Sequence, residues 1–255
     1  MRARVLDVRM KLAETYYRRQ DFPNAQTQFE ILAQQSPPGP LTEKALFFAA
    51  ESAMSSMAAN SLDRAIVLLD QVVRLNGELK WAARNEQAVI ERKLGRPREA
   101  LLLYDEVLKG DARPADKREA LCAKGDIFFE LGGSENHRRA IDVYSQLAAD
   151  QQAPMHWRNQ ALFKKGLCLE KESDRAGALT TFYEVLENES RPERRRELFW
   201  FYKAGFNAAR LLEDDSKWES AAAVYQKLAA VGGSRTEEAK TRLNRLRLEH
   251  FLWSD

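Results

Sequence analysis

Apolar residues along this chain fall into short helical stripes that recur. Ala25, Ala65, Ala100, Ala140, Ala178 and Ala221 each have a large apolar residue four positions on, namely Phe29, Leu69, Tyr104, Tyr144, Phe182 and Tyr225. Three positions further stand Leu32, Val72, Val107, Leu147, Val185 and Leu228. Positions i, i+4 and i+7 share one face of an α-helix, so the pattern predicts six amphipathic helices. Ahead of each anchor lies another small residue: Ala13, Ala53, Ala88 and Gly166 at twelve residues, Gly125 at 15 and Ala208 at 13. Small residues let two antiparallel helices joined by a short turn approach closely, while larger neighbours one turn away fill the flanks. The chain therefore reads as six helix-turn-helix units, about 5–37, 44–77, 80–114, 117–154, 157–192 and 197–231.

Two stretches align at a shift of 78, RPREALLLYDEVLKGDARP at 96–114 and DRAGALTTFYEVLENESRP at 174–192, setting Ala100 over Ala178, Tyr104 over Phe182, and Glu106, Val107, Leu108, Arg113 and Pro114 over identical residues. The turns carry helix-start residues, with Asp21, Ser61, Asn136 and Asp174 four before their anchors. Pro97 suits a first helical position, and Ser216 with Glu219 has capping-box spacing. Pro37, Pro114, Pro154 and Pro192 follow second helices and stop them. Residues 234–255 open with Ser234 and Glu237, again at capping-box spacing, and set Ala239, Leu243, Leu246 and His250 on one face. This segment is expected to be a capping helix closing a repeat array over 1–233.

These marks resemble the tetratricopeptide repeat, whose first helix carries Leu-Gly-x-x-Tyr and whose second carries Ala-x-x-x-Phe before a closing Pro. Leu12, Ala13, Tyr16, Ala25, Phe29 and Pro37 fit that frame, with Ala for Gly. Lys124, Gly125, Phe128, Ala140 and Tyr144 fit it in the fourth copy, and Lys165, Gly166, Leu169, Ala178 and Phe182 in the fifth. The second copy, with Ser52, Ala53 and Ser56, departs furthest. The resemblance spans about residues 5 to 230. It implies an all-α, right-handed α-solenoid of about six antiparallel helix pairs plus a C-terminal capping helix. It also implies a non-catalytic protein–protein interaction scaffold that binds a partner segment in its groove. The runner-up is a self-associating structural module, or the targeting arm of a larger bacterial envelope or cytosolic assembly. Anchor spacings of 35 to 43 exceed the family's ~34, and connectors such as SPPGPLTEKA resemble bacterial envelope members.

Charge narrows the partner. Lys and Arg total 40 against 38 Asp and Glu, a net +2 that supplies no field for nucleic acid. A base-reading repeat code would need polar residues at equivalent sites, yet Met10, Ala50, Asn85, Cys122, Phe163 and Gly205 occupy them. The sequence shows no apolar run of the ~20 residues a membrane helix needs, so membrane insertion is not expected. The compartment stays open: cytoplasmic if the chain is complete, periplasmic if it is a fragment of a longer envelope protein. A protein or peptide segment is the expected partner, with a homo-oligomer as a further option.

Chemistry is sparse. Cys122 and Cys168 sit inside helical patterns and read as core-filling thiols. His137, His156 and His250 are scattered, without an HxxxH or HExxH pair, and no phosphate-binding or nucleophile motif occurs. No catalytic residue, metal or cofactor is expected. The densest basic cluster, Arg191 with Arg194, Arg195 and Arg196, is flanked by Glu193 and Glu197 and reads as a solvated connector. Met10 with Glu14 and Ala50 with Met54 lack the Lys and Asn that a carboxylate clamp of the family would require.

One stripe of each first helix faces the inner curve of such a stack, at six and three residues before the small marker and one and four after. It contributes Met10, Tyr17, Phe47, Met54, Met57, Val89, Phe129, Phe163, Leu167, Tyr202 and Leu212. So many large apolar groups point to an interaction groove, and methionines suit an adaptable one. The competing expectation is that tilted helices bury the stripe between neighbouring units as core.

Overall fold

In the computed structural model, residues 2–56, 58–189 and 198–252 are described. Thirteen helices occur among them, and no strand. The first five are α1 (Arg2–Arg18), α2 (Phe22–Gln35), α3 (Pro40–Ser55), α4 (Ser61–Leu75) and α5 (Lys80–Lys93). They are followed by α6 (Pro97–Lys109), α7 (Pro114–Leu131), α8 (Ser134–Ala149), α9 (Met155–Lys171) and α10 (Arg175–Glu189). The last three are α11 (Leu198–Asp214), α12 (Trp218–Ala230) and α13 (Thr236–His250). Two compact units divide the chain inside α7, at Met1–Ala120 and Leu121–Asp255. Within each, helices pack on their neighbours in chain order, as in an α-solenoid.

The apolar stripes explain the packing. All six anchor alanines are fully buried, as are Ala13, Ala53, Ala88 and Ala208 on the preceding helices. At Gly125 and Gly166, what meets the small residue is the ring four positions after the anchor. A methyl group at Gly125 would fall 2.5 Å from the Tyr144 ring, and one at Gly166 would strike Phe182. The small position is thus a seat for a ring, and the anchor alanine keeps the two helices close enough for that ring to fill it.

Turn chemistry differs from expectation at several starts. Asp21 and Asp174 do cap, accepting from Asn24 N at 3.4 Å and Gly177 N at 2.9 Å. Ser61 is instead the first residue of α4, behind a left-handed Asn60. Asn136 lies within the first turn of α8 and donates to the Gly132 carbonyl. Helices α12 and α13 begin after Lys217 and Arg235, with no side-chain cap from Ser216 or Ser234. Pro114 opens α7 and Pro154 precedes α9, so these prolines start helices as well as follow them; Pro192 lies outside the described residues. Helix α13 packs on α12 through buried Ala239, Leu243 and Leu246, and His250 stacks on Trp218 at 3.7 Å.

One helix start is capped across repeats. Glu43, buried on α3, accepts a hydrogen bond from Leu79 N at 2.9 Å, just before α5, and Gly77 leaves room for its carboxylate. Glu43→Ala is expected to cost about 1.5–3 kcal/mol, the range for a hydrogen bond to a charged group. Glu43→Gln, which keeps an acceptor, should cost less. Urea unfolding midpoints check this, and equal losses for the two variants would refute it.

Candidate partner-binding groove

The stripe meets different fates in the two units. In Met1–Ala120, Met10, Tyr17, Phe47, Met54 and Val89 are all half-buried. Helices α1 and α3 set Met10, Tyr17, Phe47 and Met54 against the core cluster that contains Phe29, Leu32 and Leu69. The Tyr17 ring lies edge-on to Phe22 and Phe48, 5.8 Å from each, and its hydroxyl donates to Glu51 at 3.2 Å. Beside Phe47 a cavity of about 650 Å³ opens, walled by Pro38, Pro40, Lys44, Phe48 and Leu75. Met57 lies outside the described residues.

In Leu121–Asp255, Phe129 and Leu167 are half-buried. Phe163, Tyr202 and Leu212 are buried, at 7%, 2% and 4% exposure. Tyr202 is held by polar contacts, since its hydroxyl accepts from Gly233 N at 3.1 Å and lies 3.0 Å from the Thr236 hydroxyl. Phe163 packs 5.8 Å from Phe182 and 5.5 Å from Trp200. Trp200 of α11 thus covers Phe163 of the stripe. The solvent-facing aromatics are neighbours that the repeat frame passed over, with Phe199 60% exposed, edge-on to Trp200 at 4.7 Å, and under Lys203 Nζ at 4.8 Å. The run Phe199-Trp200-Phe201-Tyr202 was the available signal.

Three carboxyls of the first unit act on one another, and one of them, Glu51, meets the stripe at the Tyr17 hydroxyl. Burial holds Glu51, Glu86 and Glu119 above the usual carboxylate range. Glu86 reaches about 7, chiefly through burial and then repulsion from Glu119 and Glu51, with Lys93 acting the other way. Glu119 is raised further by Asp116 and lowered by an Asn85 hydrogen bond. No periodic pattern marked them.

Among the described residues, no cluster of three or more His, Cys, Asp or Glu could hold a metal ion. The buried Cys168 thiol is pushed up to about 12 by burial and by Asp126, which keeps it protonated and a poor nucleophile. No described helix is long and apolar enough to cross a membrane.

Models of the tetratricopeptide repeat match residues 51–117, and 7–38 with 160–190. Solved structures share the fold. The C-terminal part of a repeat-containing protein from Cytophaga hutchinsonii is 15% identical, covering 95% of this chain and 87% of that one, with a TM-score of 0.65. The pilF protein of Pseudomonas aeruginosa is 13% identical over 94% of this chain and 99% of that chain, with a TM-score of 0.59. No curated protein sequence matches the chain.

Proposed function

Because the chain belongs to the tetratricopeptide repeat family, we propose that it is a non-catalytic scaffold holding a segment of another protein along its first-helix stripe. Repeats of this family generally mediate protein–protein interaction. The observation that carries the reading is the half-open state of Met10, Tyr17, Phe47 and Met54 on two successive first helices. Each gives one side to the core and leaves the other in water. An apolar segment laid across them would remove that remaining area at about 25 cal/mol per Å². In the second unit, Phe129 and Leu167 are likewise half-buried, whereas Phe163 and Tyr202 are buried.

Paired substitution Phe47→Gln and Met54→Gln tests the proposal. The expected result is a loss of at least about tenfold in partner affinity, equivalent to about 1.4 kcal/mol. Because both side chains are only half-buried, stability should fall by no more than about 2 kcal/mol. Quantitative co-purification and thermal melting of the same variant read the two effects. Retained partner capture by a folded variant would sink the assignment.

A further inference from the structure

We infer that the groove of the Met1–Ala120 unit selects a basic partner segment, which rests apolar side chains on Met10, Tyr17, Phe47 and Met54 and places a lysine or arginine among Glu51, Glu86 and Glu119. The inference rests on the stripe being a groove and adds the chemistry of its occupant. Glu51, Glu86 and Glu119 stand on α3, α5 and α7, consecutive first helices, at intervals of 35 and 33 residues. Two other acids of this unit are paired, Glu30 with Arg64 and Asp116 with Arg113 at 2.9 Å. Among the described residues, none of the three forms a salt bridge. The groups acting on Glu86 are Glu51 from α3, Glu119 from α7, the Tyr17 hydroxyl from α1 and Lys93 on α5 itself.

A second, independent feature also asks for a donor. Asn85, 1% exposed, turns its amide to this cluster: Nδ2 donates to the Asp116 carbonyl at 2.9 Å, and the side chain bonds to Glu119. Its Oδ1 is buried without a donor among the described residues. Acceptors thus outnumber donors in a cluster that meets the apolar stripe at Tyr17, a combination that costs free energy until donors arrive. A bare metal ion does not suit, since no three such groups among the described residues lie close enough to hold one. A flexible ammonium or a forked guanidinium can bridge wider gaps, and it comes attached to the apolar segment that the stripe accommodates. Glu86, with its carboxyl near 7, would lose its proton as the cation binds.

Two synthetic amphipathic peptides of about five helical turns, with the same leucine pattern and either lysine or glutamate on the polar face, provide the test by fluorescence anisotropy with the full chain. At pH 8 the Leu/Lys peptide should bind at least about tenfold tighter than the Leu/Glu peptide, a preference that narrows at pH 6 as Glu86 protonates. The preference should vanish in the Glu51→Gln, Glu86→Gln, Glu119→Gln variant, which keeps side-chain size and removes only charge. Equal binding of the two peptides, or a preference that survives in the triple variant, overturns the inference while leaving the groove intact. Affinity for both peptides that is untouched by Phe47→Gln with Met54→Gln would instead sink the groove itself.

Discussion

Phe182→Ala is expected to destabilise the protein by about 3–5 kcal/mol, the usual cost of deleting a fully buried ring. The ring is 0% exposed, lies against Gly166 of the preceding helix and packs 5.8 Å from Phe163, at the centre of a core cluster shared by α9 and α10. The reciprocal change, Gly166→Ala, brings a methyl group to 2.9 Å from Phe182 Cδ1 and Cζ and nearer still to Cε1. Surrounded by core, the ring cannot swing away. That overpacking costs about 1–3 kcal/mol, offset in part by the ~1 kcal/mol that alanine gains over glycine in a helix. The double variant should lose less than the sum of the singles, because the new methyl group occupies part of the void left by the ring. Chemical unfolding of the four proteins gives the cycle. Strict additivity would mean that the small residue is not the seat of the ring.

The second large effect is a pH dependence centred on Glu86. Its carboxyl titrates near 7 in the folded chain against an ordinary 4.5, so between these values the native state holds more protons than the unfolded state. Stability from this group is therefore fully present at low pH and lost as pH rises through 7. At 1.36 kcal/mol per unit, the loss between pH 4.5 and 8 is about 2–3 kcal/mol. Glu51 and Glu119, also raised, act with the same sign. Glu30, held low by its hydrogen bonds to Arg64 and Gln26 against the opposing effect of burial, contributes in the opposite sense and below the ordinary carboxylate range, which keeps the windows apart. Glu86→Gln should match the wild type near pH 5 and exceed it by about 2 kcal/mol at pH 8. Unfolding midpoints at both values decide, and parallel curves for the two proteins would refute a buried carboxyl at this site.

Much of the fold was legible because a repeat writes its core locally. Ala25 with Phe29 and Leu32, and Ala178 with Phe182 and Val185, set their helices by periodicity that any window of two turns contains. Capping was less legible. Ser61 and Ser234 satisfied the local rules for a helix start and do not act as caps, whereas Glu43 caps α5 from 36 residues away. The groove was harder again. Phe163 and Met10 both stand three residues before their small markers, yet Phe163 is covered by Trp200 of α11 and Met10 is half-buried. The acids illustrate the same limit, since Glu51 and Glu86 both stand two residues before their small markers while Glu119 stands six before Gly125.

The chain by itself determined that this is a tetratricopeptide-repeat helical array, since helix faces follow from spacings of three and four residues. Tertiary structure decided which glycine seats which ring, which stripe residues stay open, and that three carboxyls from separate repeats act on one another. Those outcomes depend on how each helix pair tilts against the next. Tilt is set by side-chain volumes and connectors brought together from 30 to 40 residues apart, beyond the reach of any local pattern.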